Sequence, residues 1–245
     1  MSKTRLFSPA PLRPDCRFTL DAGQTRYLTR ALRLRAGQKL TVFDGSGGEY
    51  LAEIVRIGTR GADIQTGALL GASTESPLQI RLLQGLSKGD RMDTVVQKAT
   101  ELGVQRISPL LTDHSVVKID GQRATRRREH WQKIAQSACE QCGRNIVPVI
   151  DEASSLNHWF DQNRDDPGTR LIFRPEAATP LSSVGRPTAV LTILIGPEGG
   201  FSRAEYECAA AAGFSEVSLG PRVLRTETAT IAAVSAAQTL WGDYD

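Results

Sequence analysis

The sequence predicts an α/β fold preceded by a small β-barrel. Short strand patterns crowd roughly the first 70 residues, whereas strands alternate with amphipathic helices in the rest of the chain. Several short strands favour a barrel, and regular alternation favours a sheet covered by helices. Because a stretch of small and polar residues ending in proline, 71–77, separates the two patterns, we expect domains at 1–72 and 73–245.

A β-hairpin is predicted in the first domain. Lys39–Phe43 is a short apolar run, Asp44–Gly48 supplies the positive φ angles of a tight turn, and Tyr50–Ile57 is a β-rich run that returns from it. Ala62–Thr66 is a weaker strand, and a short helix at Thr25–Leu34 precedes the hairpin. The glycine-rich turn imitates the loop of Rossmann-type methyltransferases, but that loop must open a helix, and here a strand follows.

The second domain is predicted to alternate strands and helices. The continuously apolar Val190–Ile195 is typical of a central strand covered on both faces. Ser202 with Glu205 three residues on forms a capping-box pattern, and the last helix is Thr226–Trp241. The other predicted elements are strands within 78–84, 104–111, 147–150, 170–173 and 216–219, and helices over 90–102, capped by Asp90, and 125–142.

Composition limits the classes of function. Apolar residues make up 40% and charged residues 23% of the chain, as in ordinary globular proteins. The sequence contains neither an apolar run long enough to span a bilayer nor an N-terminal signal peptide, so we expect a cytoplasmic protein. Cys139 and Cys142 have zinc-like spacing but no second pair, so we expect packing residues and no metal site.

Basic residues are concentrated in the first domain. Residues 1–70 contain 11 Lys/Arg against 6 Asp/Glu, while the whole chain carries a net charge of only +3. This asymmetry favours either a module that binds a polyanion or charge that serves solubility. A run of arginines at 126–128 spreads around its helix and indicates a solvated face.

Two glycine-proline loops follow strands near the C-terminus. Gly196–Gly200 precedes the capped helix, and Gly220-Pro221 precedes the last helix. Ligands bind at the carboxyl ends of strands in α/β sheets, and glycines let the backbone approach them. Gly196–Gly200 lacks the Lys-Ser/Thr of a phosphate loop, and Glu198 would repel phosphate, so an uncharged or cationic ligand is favoured. A tight strand-to-helix turn is the alternative.

We expect the two loops to lie side by side at the edge of one sheet. Charged groups gathered at strand ends indicate a ligand site rather than a core. Those between the two loops are Arg222, Arg225, Glu198 and Glu227.

Leu194–Phe201 and Leu219–Thr228, in this order near the C-terminus, make the chain resemble the bacterial 16S rRNA uridine-N3 methyltransferases, the RsmE family of the SPOUT superfamily. The resemblance implies a SPOUT domain with a C-terminal trefoil knot, a PUA-like RNA-binding barrel before it, and a homodimer. Strand and helix patterns alone predict no knot, because knots are nearly absent from proteins. Matching segments also occur at 43–45, 87–98, 101–104, 131–135 and 140–144.

The same resemblance implies S-adenosylmethionine as the cofactor and 16S rRNA or the small ribosomal subunit as the partner. The cofactor would lie among three loops, which begin near Phe173, at Gly196 and at Leu219. The residues expected to bind it are Phe173, Ile195, Gly196, Pro197, Gly199, Gly200, Leu219, Gly220, Leu224 and Thr228.

Methylation of uridine N3 requires aligned reactants and the loss of the N3 proton. Arg225 is predicted to stabilise charge on the uracil oxygens, with a phosphate clamp as the alternative. Glu198 or Glu227 is predicted to take the proton, although Glu227 also suits the first turn of a helix as an acid favoured by the helix dipole. Candidate RNA contacts are Arg5, Arg30, Arg33, Lys88, Arg91 and Arg222.

Two other functions stay open from the sequence. One is a non-catalytic RNA-binding or ribosome-assembly factor that keeps the fold. The other is a SPOUT methyltransferase that acts on tRNA or on 23S rRNA.

Overall fold

The computed structural model describes residues 4–59, 61–71, 73–115 and 121–244, which form two compact units. The first unit contains residues up to Glu75 together with Cys139–Val147, and the second contains Ser76–Ala138 and Pro148 onwards. Ala72, where we expected the domain boundary, lies outside the described residues. The presence of Cys139–Val147 in the first unit was not expected. The predicted domains are two continuous stretches of chain, and this segment falls within the second of them.

The first unit is built on one five-stranded sheet, in the order β1-β3-β4-β5-β2. The predicted hairpin is confirmed, because β3 and β4 pair antiparallel from Lys39↔Glu53 to Phe43↔Glu49. The strand after it is much longer than expected. The predicted helix divides into α1 and a short π-helix at Tyr27–Ala31. The elements are β1 (Arg5–Phe7), β2 (Arg17–Thr19), α1 (Ala22–Arg26), β3 (Lys39–Phe43), β4 (Glu49–Gly58) and β5 (Gly61–Leu70).

The second unit contains a parallel sheet in the order β12-β10-β11-β6-β7-β8, with β9 paired to β7. Its central strand β11 is buried along its whole length, as its apolar sequence predicted. The elements are β6 (Ile80–Gly85), α2 (Arg91–Glu101), β7 (Arg106–Leu111), α3 (Gly121–Cys142), β8 (Val149–Ile150), β9 (Ser154–Ser155), α4 (Leu156–Gln162), β10 (Thr169–Phe173), β11 (Leu191–Ile195), α5 (Arg203–Ala211), β12 (Ser215–Val217) and α6 (Thr226–Trp241).

Local signals placed the start of α5 and both ends of α6 correctly, whereas α3 begins four residues earlier than expected and α4 was not predicted. The capping box at Ser202 and Glu205 is confirmed, and α6 has the predicted bounds. Asp90 occupies the N-cap position of α2, but its side chain accepts no capping hydrogen bond, so the predicted cap is wrong. Within the described residues, no helix is both long and apolar enough to cross a membrane. The closed barrel and the knot stay predictions.

A buried ion pair holds Cys139–Val147 in the first unit. Arg144 and Glu75 are 3% and 11% exposed, and Arg144 Nη2 donates to Glu75 Oε2 over 2.7 Å. Glu75 also accepts hydrogen bonds from the backbone N–H groups of Asn145 and Ile146. Cys139 is buried in the same segment, where loss of solvent raises the pKa of its thiol to about 12. This thiol is therefore an inert packing group at neutral pH.

Candidate active site

A cavity of about 870 Å³ opens at the carboxyl ends of three neighbouring parallel strands, β12, β10 and β11. Its walls come from the loops that follow these strands and from the start of α6. Strand β10 lies between β11 and β12. The two glycine-proline loops are therefore not side by side, contrary to our expectation. The loop after β10 stands between them, and the three loops meet around one cavity because parallel strands end at the same edge.

Nine of the ten residues expected to bind the cofactor line this cavity. Thr228 does not; it lies on α6 as an exposed residue. The catalytic candidates Glu198 and Arg225 line it, as does Arg222, and Glu227 lies in an adjoining cavity. Phe201, Val223 and Thr226 also line it and belong to the two predicted loop segments. Residues outside those segments that were not predicted to bind the cofactor are Arg91, Arg174, Pro175, Glu176, Tyr206 and Ala229.

The loop 196–200 keeps its tight path through its glycines. Gly200 has φ of +67°, a left-handed conformation that side chains rarely adopt. A Cβ atom on Gly196 would lie 3.2 Å from the Gly200 Cα, so the loop folds back on itself closely enough that a side chain there would push its backbone apart by a few tenths of an ångström. The loop then enters α5 through the capping box. A single buried strand thus delivers a compact loop of backbone groups to the cavity.

Gly85 at the end of β6 is a third glycine on which this loop depends. A Cβ atom there would lie 2.5 Å from both the backbone nitrogen and Cδ of Pro197, and backbone cannot move aside as a flexible side chain does. No sequence pattern indicated this contact, because Gly85 and Pro197 are far apart in the chain.

Replacing Gly85 with alanine is expected to displace the loop and weaken S-adenosylmethionine binding by about tenfold or more, since overpacking costs ~1–3 kcal/mol. Isothermal titration calorimetry measures the affinity. Gly185→Ala is the matched control: Gly185 has no atom within 4 Å of an added Cβ and is expected to bind normally. Equal affinities for the two variants would contradict the proposed contact.

A buried hydrogen-bond network ties the loop to α6. Gln84 is fully buried and donates from Nε2 to Thr226 Oγ1 over 2.9 Å, and Thr226 Oγ1 donates to the carbonyl of Gly196 over 2.6 Å. Thr230 Oγ1 donates to Gln84 Oε1 over 2.6 Å. A polar residue in an apolar strand was the available sequence signal for Gln84, because a buried amide needs partners.

The two candidate carboxylates differ in what they contact. Glu198 Oε1 accepts hydrogen bonds from the backbone N–H of Lys88 and from the Arg91 side chain. Burial alone would raise the pKa of Glu198. The two hydrogen bonds, a further one from the backbone N–H of Glu198 itself, and the positive charge of Arg91 outweigh burial and lower the pKa. Glu227 Oε2 lies 3.9 Å from Arg91 Nε, so Arg91 stands between the two acids.

Three arginines line the cavity from the loops after β10 and β12. Arg174 pairs with Glu216 and Glu176, and its guanidinium lies 4.7 Å from the centre of the Tyr206 ring. Arg222 and Arg225 are exposed and form no ion pair with any residue that the structure describes. These two side chains are therefore free to meet an anionic or electron-rich ligand.

The candidate RNA contacts of the first unit divide into two kinds. Arg30 and Arg33 are exposed, as an RNA contact requires. Arg5 is not: its side chain is 11% exposed, pairs with Glu49, donates to the Arg144 carbonyl, and lies 4.8 Å over the Phe43 ring. These contacts make Arg5 a structural residue, and we withdraw it as an RNA contact.

In the second unit, the other predicted contacts lie near the cavity. Lys88 is exposed, whereas Arg91 is engaged with Glu198. Among the described side chains, no group of three or more His, Cys, Asp or Glu could hold a metal ion.

Two family models match the chain. The model described as an RNA methyltransferase domain matches residues 74–238, and the model described as an RNA methyltransferase PUA domain matches residues 20–66. The first match includes every loop of the cavity. The second falls within the first structural unit.

Curated relatives and solved structures agree with these models. The chain is 35% identical to ribosomal RNA small subunit methyltransferase E of Buchnera aphidicola, over 89% of this chain and 86% of that protein, and 29% identical to the protein of that name from Bacillus subtilis, over 89% and 88%. It is 37% identical to the Neisseria gonorrhoeae enzyme of that name bound to S-adenosyl methionine, with a TM-score of 0.92 over 99% and 100% of the two chains.

A methyltransferase from Legionella pneumophila in complex with the cofactor SAM is 36% identical, with a TM-score of 0.94 over the full length of both chains. These matches extend over both structural units and include all the cavity loops. On the combined evidence of the family models and of these relatives, the chain belongs to the ribosomal RNA small subunit methyltransferase E family of RNA methyltransferases.

Proposed function

We propose that this protein transfers a methyl group from S-adenosylmethionine to N3 of a uridine in the 16S rRNA of the small ribosomal subunit. One observation carries the proposal: three loops of adjacent parallel strands meet at one cavity, and Arg222 and Arg225, which have no ion-pair partner in the described part of the chain, stand at it. The relatives bear the name of this activity, and two similar structures contain the methyl donor. The target is a ribosomal RNA, so the protein would work in the cytoplasm.

The cavity fits S-adenosylmethionine in size and chemistry. Its volume of about 870 Å³ lies within the usual range for a small-molecule site. Apolar side chains and close-packed glycine backbone form much of its lining, and Glu198, which is paired with Arg91, is a carboxylate that a cationic ligand can approach. The residues that would hold the cofactor are the nine predicted residues at the cavity, Phe173, Ile195, Gly196, Pro197, Gly199, Gly200, Leu219, Gly220 and Leu224.

When bound, S-adenosylmethionine supplies an electrophilic methyl group on a sulfonium. The chain itself must then hold the uracil in line and assist the loss of the N3 proton. Arg225 would stabilise negative charge on a uracil oxygen, since its guanidinium is exposed at the cavity and unpaired among the described residues. Glu198 or Glu227 would receive the proton.

Basic side chains of each unit would contact RNA. In the first unit these residues are Arg30 and Arg33. In the second unit they are Lys88, Arg91 and Arg222, which lie around the cavity. Each phosphate contact releases counterions, so affinity for RNA is expected to fall steeply with salt. The first unit would form the PUA-like barrel, over roughly residues 1–72, and α6 with the loop before it would form the knot in the second domain at 73–245.

We also propose a homodimer. A shallow apolar groove is lined by Leu181, Leu219, Ala236 and Leu240, and Val223 is 81% exposed. Large exposed apolar groups on one structural unit favour a protein interface. Sedimentation equilibrium is expected to show twice the 26.6 kDa chain mass, with Leu240→Glu reducing it towards that mass. A concentration-independent monomer would contradict the dimer.

Transfer of tritium from labelled S-adenosylmethionine to unmethylated small subunits tests the function. Nucleoside analysis of the product is expected to show 3-methyluridine in 16S rRNA. Naked 16S rRNA as a parallel substrate separates action on free RNA from action on the subunit. No transfer to any RNA would favour the non-catalytic assembly factor, and transfer only to tRNA or 23S rRNA would favour another SPOUT activity.

A further inference from the structure

A second cavity of about 500 Å³ adjoins the first. It lies between the start of α2 and the start of α6, and Arg91 lines both cavities. Its residues are Lys88, Gly89, Asp90, Arg91, Thr94 and Glu227. Methyl transfer needs a place for the acceptor base beside the donor, and this cavity shares Arg91 with the donor cavity and carries the Glu227 carboxylate.

Glu198 is poorly suited to receive a proton from the acceptor. Its Oε1 already accepts hydrogen bonds from the Lys88 backbone and the Arg91 side chain. The lowered pKa of this carboxyl means that the charged form is stabilised, so protonation is unfavourable. Glu198 therefore anchors Arg91 rather than exchanging protons.

Glu227 has the opposite environment. Its Oε2 is shielded from solvent, and no donor among the described residues reaches that oxygen within hydrogen-bonding distance. A shielded carboxylate oxygen without a partner is rare in native structures and asks for a ligand, a water or a catalytic role. The charged groups that face it across the two cavities are Arg91, Lys88 and Asp90, with Glu198 and Arg225 beyond.

We propose that this second cavity is the acceptor subsite, which binds a uracil base, and that Glu227 is the catalytic residue that accepts the N3 proton. This inference rests on the proposed methyltransferase function. The N3–H bond breaks and its proton passes to the Glu227 carboxylate. The electron pair left on N3 forms the new bond to the methyl carbon, and the bond from that carbon to sulfur breaks with its electrons going to sulfur.

Arginines are available for both uracil oxygens that flank N3. Arg91 is held at the cavity by Glu198 and lies beside Glu227. Arg225, two residues before Glu227, is free of ion pairs among the described residues. Negative charge spreads from N3 onto the two oxygens as the proton leaves, so cations placed there lower the barrier.

Single-turnover methyl transfer to unmethylated small subunits, with enzyme in excess, tests the assignment. Glu227→Gln keeps the size of the side chain but not its basicity, and we expect a loss of about 10²–10⁴-fold in rate. Glu198→Gln, which can still accept the Lys88 hydrogen bond, is expected to lose markedly less. Glu207→Gln, on the exposed face of α5, is the matched control and is expected to equal wild type.

Two readouts separate a proton acceptor from a structural residue. The rate of Glu227→Gln is expected to rise with pH, because the N3 proton must then leave to solvent. Subunits that contain 5-fluorouridine, whose N3–H is more acidic, are expected to increase the rate of this variant by a larger factor than the rate of wild type. S-adenosylmethionine affinity, measured by calorimetry, should stay near wild type and also shows that the variant is folded.

A Glu227→Gln rate within threefold of wild type, or a larger loss of rate in Glu198→Gln, would overturn the assignment. If Glu227→Gln does not fold, Glu227→Ala takes its place, and a fully active Glu227→Ala would overturn the assignment as well. Wild-type protein that methylates no RNA would instead refute the proposed function. The two failures are therefore distinguishable within one experiment.

Discussion

Replacing Arg225 with alanine is expected to lower turnover by about 10²–10³-fold while S-adenosylmethionine binds nearly as well as before. Arg225 is exposed at the cavity, precedes the first residue of α6, and has no ion-pair partner among the described residues. Its guanidinium is therefore free to stabilise charge that develops on uracil only during the reaction. An interaction made mainly in the transition state affects kcat more than ground-state binding.

Steady-state methylation of small subunits gives kcat and KM, and calorimetry gives cofactor affinity. Arg203→Ala is the control, since Arg203 is 94% exposed on α5 and pairs only with nearby Glu207 among the described residues. Near-normal turnover in Arg225→Ala would refute the assigned role. A rise in the KM for subunits with unchanged kcat would point to the alternative, a phosphate clamp.

Replacing Arg144 with alanine is expected to destabilise the first unit by ~3–5 kcal/mol, because removal of one member of a buried ion pair leaves an uncompensated charge. The partner Glu75 would keep its two backbone hydrogen bonds but lose the guanidinium. Arg144 joins Cys139–Val147 to this unit, so the variant loosens a segment distant in sequence from the rest of the unit.

Amide hydrogen exchange in β3 and β4 measures this effect, and we expect it to accelerate by about 10²–10³-fold, at 1.4 kcal/mol for each tenfold change. All three tryptophans lie in the second unit, so their fluorescence reports on that unit separately. Arg203→Ala again serves as control, since exposed pairs contribute only ~0.3–0.5 kcal/mol. Unchanged exchange in Arg144→Ala would show that the pair is dispensable.

Local patterns placed most elements of this protein. Features that depend on residues close together in the chain can be predicted from the sequence. They include the turn at Asp44–Gly48, the capping box of Ser202 and the apolar strand β11. Motif resemblance then supplied the family and the cofactor loops, and nine of ten residues expected to bind the cofactor line one cavity.

Long-range contacts could not be predicted from the sequence in the same way. Arg5 has the sequence appearance of a surface cation, yet Glu49 and the Arg144 carbonyl enclose it. Asp90 has the identity of a helix cap but a backbone conformation, φ −80° and ψ 3°, in which its side chain does not cap. Each outcome depends on partners or angles that residue identity alone does not specify.

The sequence by itself determined the α/β class, the hairpin, the starts of α5 and α6, and which loops approach the ligand. These properties follow from hydrophobic periodicity and turn chemistry, which act over a few residues. Only the tertiary structure decided that β10 separates the two glycine-proline loops and that Thr226, held by Gln84, bonds α6 to the first of them. It also decided that Glu198 accepts a hydrogen bond from Arg91 while Glu227 Oε2 accepts none from the described residues. Those facts depend on which distant groups become neighbours, and strand order and burial set them only once the chain has folded.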